Sequence, residues 1–230
     1  MRFRNRADAG RQLAERLSGY AGQSNVIVLA LPRGGVPVGA EIASRLGAPL
    51  DVFLVRKVGV PGHAELAMGA IAEGGIKVRD DHLLRALSIP EAAFDQAADR
   101  ERLELERRTS QYRGTQPAPE TQGRTVILVD DGLATGSTMR AAVEAVRQHS
   151  PARVIVAVPV GAPSTCAEFA DVTDETICAR TPEPFSAVGL WYRDFSQTTD
   201  EDVHTLLDEH ARSREGQQRD GDHAERRTHA

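Results

Sequence analysis

The chain has 230 residues, 40% of them hydrophobic, which is enough for one α/β domain with a sizeable core and short for two. Its formal net charge of -5 argues against nucleic acid or an anionic membrane as partner, and with 4% aromatic residues the core must be Val, Leu, Ile and Ala, a mix suited to parallel strands under helices. The polar, arginine-bearing start and the lack of any apolar run near the roughly 20 residues of a membrane helix predict a cytoplasmic protein.

Ala9, Leu13, Ala14 and Leu17 lie at helical spacing and predict an opening amphipathic helix over 7–18. Val26 to Leu31 reads as a buried strand, Pro32-Arg33-Gly34-Gly35 as a turn, and Val36 to Leu46 as a helix stopped by Gly47. Asp51 to Arg56 is the next strand, completing a βαβ unit with a parallel pair. Val58 to Glu65 holds two glycines and a proline with no apolar period, and reads as a mobile connection. Short strands at 66–72 and 75–78 form a hairpin. Ile89 to Tyr112 then alternates few apolar residues with dense charge and predicts a long exposed helix. That helix covers a neighbouring subunit, gates the connection before it, or is a solvated part of an insertion over 80–122. Further elements are a strand at 126–129, a helix at 137–149, a strand at 153–160, a short helix at 163–169, a strand at 175–179 and a helix at 200–210. Cys166 and Cys178 are too few and too far apart to suggest a disulfide framework or a zinc site. A domain over 1–211 is expected, with a disordered tail over 212–230.

One stretch carries most of the chemistry. After the aliphatic run Val126 to Val129 come Asp130, Asp131 and Gly132, then Ala134-Thr135-Gly136-Ser137-Thr138 at the opening of a helix. A helix N-terminus offers unpaired N–H groups and partial positive charge to a phosphate, small residues let the backbone approach it, and hydroxyls donate to its oxygens. Two carboxylates beside that cradle suit a ligand whose phosphate is joined to vicinal hydroxyls or accompanied by a divalent cation. A sugar phosphate has both properties. An ordinary turn with Asp caps is the plain alternative, weakened by the whole pattern falling in one register.

This stretch closely resembles the 5-phosphoribosyl-1-diphosphate (PRPP) signature of the type I phosphoribosyltransferases. The resemblance implies a single Rossmann-like α/β domain, a mostly parallel sheet flanked by helices, a helical insertion, and a C-terminal hood over 180–198. It assigns Asp130 and Asp131 to the ribose and Ala134, Thr135, Gly136, Ser137 and Thr138 to the 5-phosphate. Arg33, Gly34 and Gly35 resemble the diphosphate loop of adenine-type members, and Arg56-Lys57 before Pro61-Gly62 resembles the start of their flexible lid, where both cations would neutralise the leaving diphosphate. Solvated surface basics are the competing reading of that pair, and merely solvated groups the competing reading of His63 and Glu65 as acid–base residues. The implied reaction transfers phosphoribosyl to a nitrogen acceptor, such as a purine-like base. Mg²⁺ is held through PRPP with no direct protein ligand, and a homodimer is expected. PRPP sensing without turnover, or PRPP hydrolysis, are the alternatives. Ala134 stands where hypoxanthine/guanine-type enzymes carry an aspartate, and Gly132 replaces the branched residue usual in adenine-type ones. Four of the ten aromatics fall in Phe185 to Phe195. Phe185, Trp191 and Tyr192 either stack on the acceptor or form a small satellite core.

Overall fold

The computed structural model describes residues 1–114 and 116–228, with side chains to residue 216 except at 64 and 65. Helix α1 (Arg6–Arg16) starts where the Asn5 side chain accepts the Asp8 N–H, satisfying an orphan donor of the first turn. Strand β1 (Val26–Ala30) leads to α2 (Gly35–Leu46), which ends on Gly47 at φ 66°, a left-handed geometry that glycine adopts without a Cβ clash. Then follow β2 (Leu50–Val52), β3 (Val55–Val60), β4 (His63–Ala72), β5 (Ile76–Arg79), α3 (Asp81–Ala86) and α4 (Glu91–Arg113). The chain closes with β6 (Thr125–Val129), α5 (Ser137–Arg147), β7 (Arg153–Val160), α6 (Pro163–Ala170), β8 (Glu175–Arg180) and α7 (Asp200–Thr228).

Five strands form a parallel sheet in the order β2-β1-β6-β7-β8. Alternate residues point to opposite faces, so a continuous aliphatic strand feeds two cores. On one face Val26, Val28, Ile127, Val129, Ile155 and Ala157 meet α1 and α2. On the other, Ile27, Leu29, Val126, Leu128, Val154 and Val156 meet α5 and α6. This is the parallel-sheet α/β architecture expected.

A second, antiparallel sheet, β3-β4-β5, stands beside the first. Its Val58, Val60, Met68 and Ile71 pack on Phe94, Ala98, Leu105 and Tyr112 of α4. The expected strand 51–56 is therefore two strands. Phe53 N–H still bonds the Ala30 carbonyl of the large sheet, but Leu54 N–H turns to the Glu73 carboxylate. Buried Arg113 at the end of α4 pairs with both Asp51 and Glu73, fastening the two sheets at this crossing. The expected mobile connection at 58–65 is the β3–β4 hairpin, bulged at Val58 and Gly59. The expected exposed helix α4 buries one face, because five apolar or amphipathic side chains suffice to seat it on the small sheet. It covers its own chain.

Cys166 on α6 and Cys178 on β8 form a disulfide, which corrects the reading of their spacing. Twelve residues apart in sequence, their Cα atoms lie 6.5 Å apart because β8 returns beside α6. After Arg212, where composition predicts disorder, α7 continues to Thr228; Glu, Arg, Gln and Ala are good helix formers there. The last two residues of the expected tail lie outside the described ones. Among the described residues no helix is long and apolar enough to cross a membrane.

Candidate functional site

From β1 the chain winds to one side of the sheet and from β6 to the other, so their carboxyl ends flank a topological switch point, where open α/β sheets bind ligands. The register pairs Ala30 with Val129, and Leu31 N–H donates to the Val129 carbonyl at 2.8 Å. The loops Pro32 to Gly35 and Asp130 to Gly136 thus leave the sheet side by side. A Cβ on Gly34 would lie 2.1 Å from Asp131 Oδ2, and one on Gly35 2.6 Å from the Val129 carbonyl. Neither position admits a side chain. The Pro32–Arg33 peptide bond is cis.

Among the described residues both helices that begin here, α2 and α5, lack a side-chain cap, although Gly35 and Val36 N–H of α2 donate to the Leu31 and Arg33 carbonyls. Gly136, at φ 70°, opens α5 against the Phe169 ring, where a Cβ would come within 2.6 Å of Cε2. Thr165 Oγ1 donates to the Ala134 carbonyl at 2.7 Å. Helix α6 therefore braces the loop from behind, while Ala134, Thr135 and Ser137 are exposed at its mouth.

The acid pair is largely buried. Asp130 Oδ1 accepts the Asp131 N–H at 2.8 Å, and Asp131 Oδ2 accepts Arg6 Nε at 2.8 Å. Burial, with the neighbouring Asp131 charge, raises Asp130 well above the usual aspartate range. Burial raises Asp131 too, with Arg6 pulling it back. Sequence reasoning missed Arg6: its contact spans 125 residues, and nothing in the α1 pattern separates it from neighbouring arginines.

Over residues 2–178 the sequence matches the family described as Phosphoribosyl transferase domain. The chain belongs to that family. Among phosphoribosyl transferase relatives, the Mycobacterium tuberculosis proteins MT0597 and Rv0571c, both named as phosphoribosyl transferases, are each 47% identical over 206 residues, covering 90% of this chain and 46% of their own length. The chain spans about half the length of these curated relatives. The bifunctional protein PyrR of Chloroflexus aurantiacus is 36% identical over 129 residues, 55% of this chain and 65% of that protein. The crystal structure of TT1426 from Thermus thermophilus superposes with a TM-score of 0.81 at 46% identity, covering 90% of this chain and 98% of that one.

The other residues assigned by resemblance to the phosphoribosyl transferase site are spread around these loops. Lys57 is exposed and lines a cleft of about 490 Å³ with Thr135, Ser137 and Arg140, between the small sheet and the start of α5. Arg33 reaches Asp200, the first residue of α7, at 3.9 Å. Arg56 turns away to α4, where its guanidinium meets Glu101 at 2.5 Å and Glu104 at 3.9 Å. His63 is exposed at the hairpin tip, and the Glu65 side chain lies outside the described residues.

In the hood, Tyr192 is 3% exposed and packs with Phe3, Ala9 and Val160, and its hydroxyl donates to the Asp131 carbonyl at 2.5 Å. This corrects the stacking reading for Tyr192: its face is covered. Phe185 and Trp191 are half-buried beside that cluster, and the buried Trp191 indole N–H finds no acceptor among the described residues. Val188 lies over Gly132, where a Cβ would come within 2.4 Å of Cγ1. Among the described residues no cluster of three or more His, Cys, Asp or Glu could hold a metal ion.

Proposed function

We propose that the protein is a PRPP-dependent phosphoribosyltransferase, transferring the 5-phosphoribosyl group to a nitrogen acceptor, such as a purine-like base, with release of diphosphate. The observation that carries the reading is the meeting of the buried pair Asp130–Asp131 with two uncapped helix starts at one sheet edge. The α5 start, with Thr135, Ser137 and Thr138, takes the 5-phosphate. Asp130 and Asp131 take the ribose hydroxyls, and their charge lies beside the ring as positive charge develops in the transition state. Arg33 with the Gly34–Gly35 backbone takes the diphosphate, and Lys57 shares a cleft with Thr135 and Ser137 of the 5-phosphate loop. Arg56 joins only by exchanging Glu101 and Glu104 for the diphosphate. Mg²⁺, when bound, would neutralise diphosphate charge and would be held chiefly by PRPP oxygens, with Asp130 and Asp131 as the carboxylates at that edge. Phe185 and Trp191, half-buried at the hood, offer the acceptor an aromatic wall. A charged sugar phosphate does not cross membranes unaided, which supports a cytoplasmic setting.

Calorimetric titration with PRPP and Mg²⁺, followed by a screen of nitrogen bases read by diphosphate release, tests the reading. Wild type should bind PRPP, and Asp131→Asn should lose turnover by roughly a hundredfold or more while keeping its fold. No heat with wild type refutes the proposal. Binding without release across the panel would favour a sensor, and release without any base a hydrolase.

A further inference from the structure

Asp131 is held on several sides. Its Oδ2 accepts Arg6 Nε at 2.8 Å and lies against Gly34, its N–H donates to Asp130, and its carbonyl accepts the Tyr192 hydroxyl. Oδ1 accepts no hydrogen bond among the described residues. Arg6 is itself held tightly. Its Nη1 donates to the Ser196 carbonyl at 2.7 Å, and its guanidinium lies 3.9 Å over the Phe195 ring. The side chains of Arg6 and Asp131 are 12% and 16% exposed, so the ion pair is shielded from water and the removal of either partner strands the other. The backbone around Arg6 is fixed as well. Phe3 bonds Trp191 and Arg193, Arg4 bonds Asp194, and Asn5 caps α1. The N-terminal segment and the hood are stitched together, and Arg6 runs from that seam to the acid pair.

We propose that Arg6 is a positioning residue for the ribose-binding carboxylate: it clamps Asp131 by Oδ2, leaves Oδ1 for a ribose hydroxyl, and couples the acid pair to the hood through Ser196 and Phe195. This rests on the PRPP reading and adds to it a link between the hood and the sugar site. The groups facing Asp131 are Asp130 beside it, Arg6 from α1 and the Tyr192 phenol, whose ionisation burial pushes up out of range. Arg6 is thus the one cation that the described residues set against this carboxylate.

The test compares wild type, Arg6→Gln and Arg6→Lys by PRPP–Mg²⁺ calorimetry over pH and by steady-state kinetics, with circular dichroism confirming the fold. Arg6→Gln should weaken PRPP binding roughly tenfold or more, raise the PRPP KM more than it lowers kcat, and move the acid limb of PRPP binding to higher pH. Arg6→Lys restores the charge but cannot span Asp131 and Ser196 with a planar fork, so binding should weaken several-fold with the acid limb in place. Wild-type PRPP affinity in either folded variant overturns the proposal, as does a fall in kcat at constant KM. If Arg6→Gln fails to fold, the Arg6→Lys comparison decides alone. Failure of wild type to bind PRPP would instead refute the proposed function, whatever Arg6 does.

Discussion

The two sheets use similar aliphatic residues and differ in how they are covered. In the parallel sheet, β1 and β6 are buried throughout, with helices on both faces. In the antiparallel sheet, β3 alternates, α4 seals one face, and the face toward α5 stays partly open as the cleft that holds Lys57, Thr135 and Ser137. The difference separates two tasks. The acid pair and both helix starts issue from strands buried between two cores, whereas Arg56 and Lys57 lie on a smaller sheet seated on α4 on one side and, through Ala72 and Ile76, on the α5 core. Under the proposed function, the ribose and 5-phosphate contacts come from the first sheet and the cations Arg56 and Lys57 from the second.

The sharpest way to break this contrast is Phe94→Ala. Phe94 is fully buried between α4 and the small sheet, and its loss should cost about 3–5 kcal/mol. Hydrogen exchange should rise in β3, β4 and β5 while β1, β6 and β7 stay protected; uniform loss of protection would show that the two sheets open as one. Next in size is the disulfide, which fastens α6 behind the phosphate-loop candidate. Its reduction should cost about 3 kcal/mol, lowering Tm by roughly 6–12 °C, as read by calorimetry with and without reductant.

The legibility of the fold follows the same division. Val26–Leu31, Val126–Val129 and Arg153–Val160 are readable because a strand buried on both faces is uninterrupted aliphatic sequence. The acid pair and the Thr-Gly-Ser-Thr turn are readable because their spacing is local. The break after Val52 is not, since Phe53 and Leu54 continue the apolar run and the exchange of partners depends on Glu73 and Arg113, far along the chain. Arg6 and the disulfide escape for the same reason: each is a long-range contact made by a residue that looks ordinary in its own neighbourhood.

The smallest expected effect bears on the rigid sheet itself. Burial and Asp131 raise the Asp130 pKa, so folding favours its protonated form; the stability contributed is fully present below the ordinary value of 3.8 and lost as pH rises through the raised one. Asp130→Asn escapes that loss. The variant should be more stable than wild type near neutral pH, with the gain disappearing as pH falls toward the ordinary aspartate range. A constant difference across pH, seen in paired melts, would mean that Asp130 carries no buried charge at the site edge.

Gly132 has a wider consequence. Val188 occupies the space that any larger residue at 132 would need, so even one added methyl group would have to lift the segment carrying Phe185 and Trp191. Replacement at either position is tied to compensation at the other. Across related chains the two should drift as a pair, with the outline of the bay above the acid pair changing as they do.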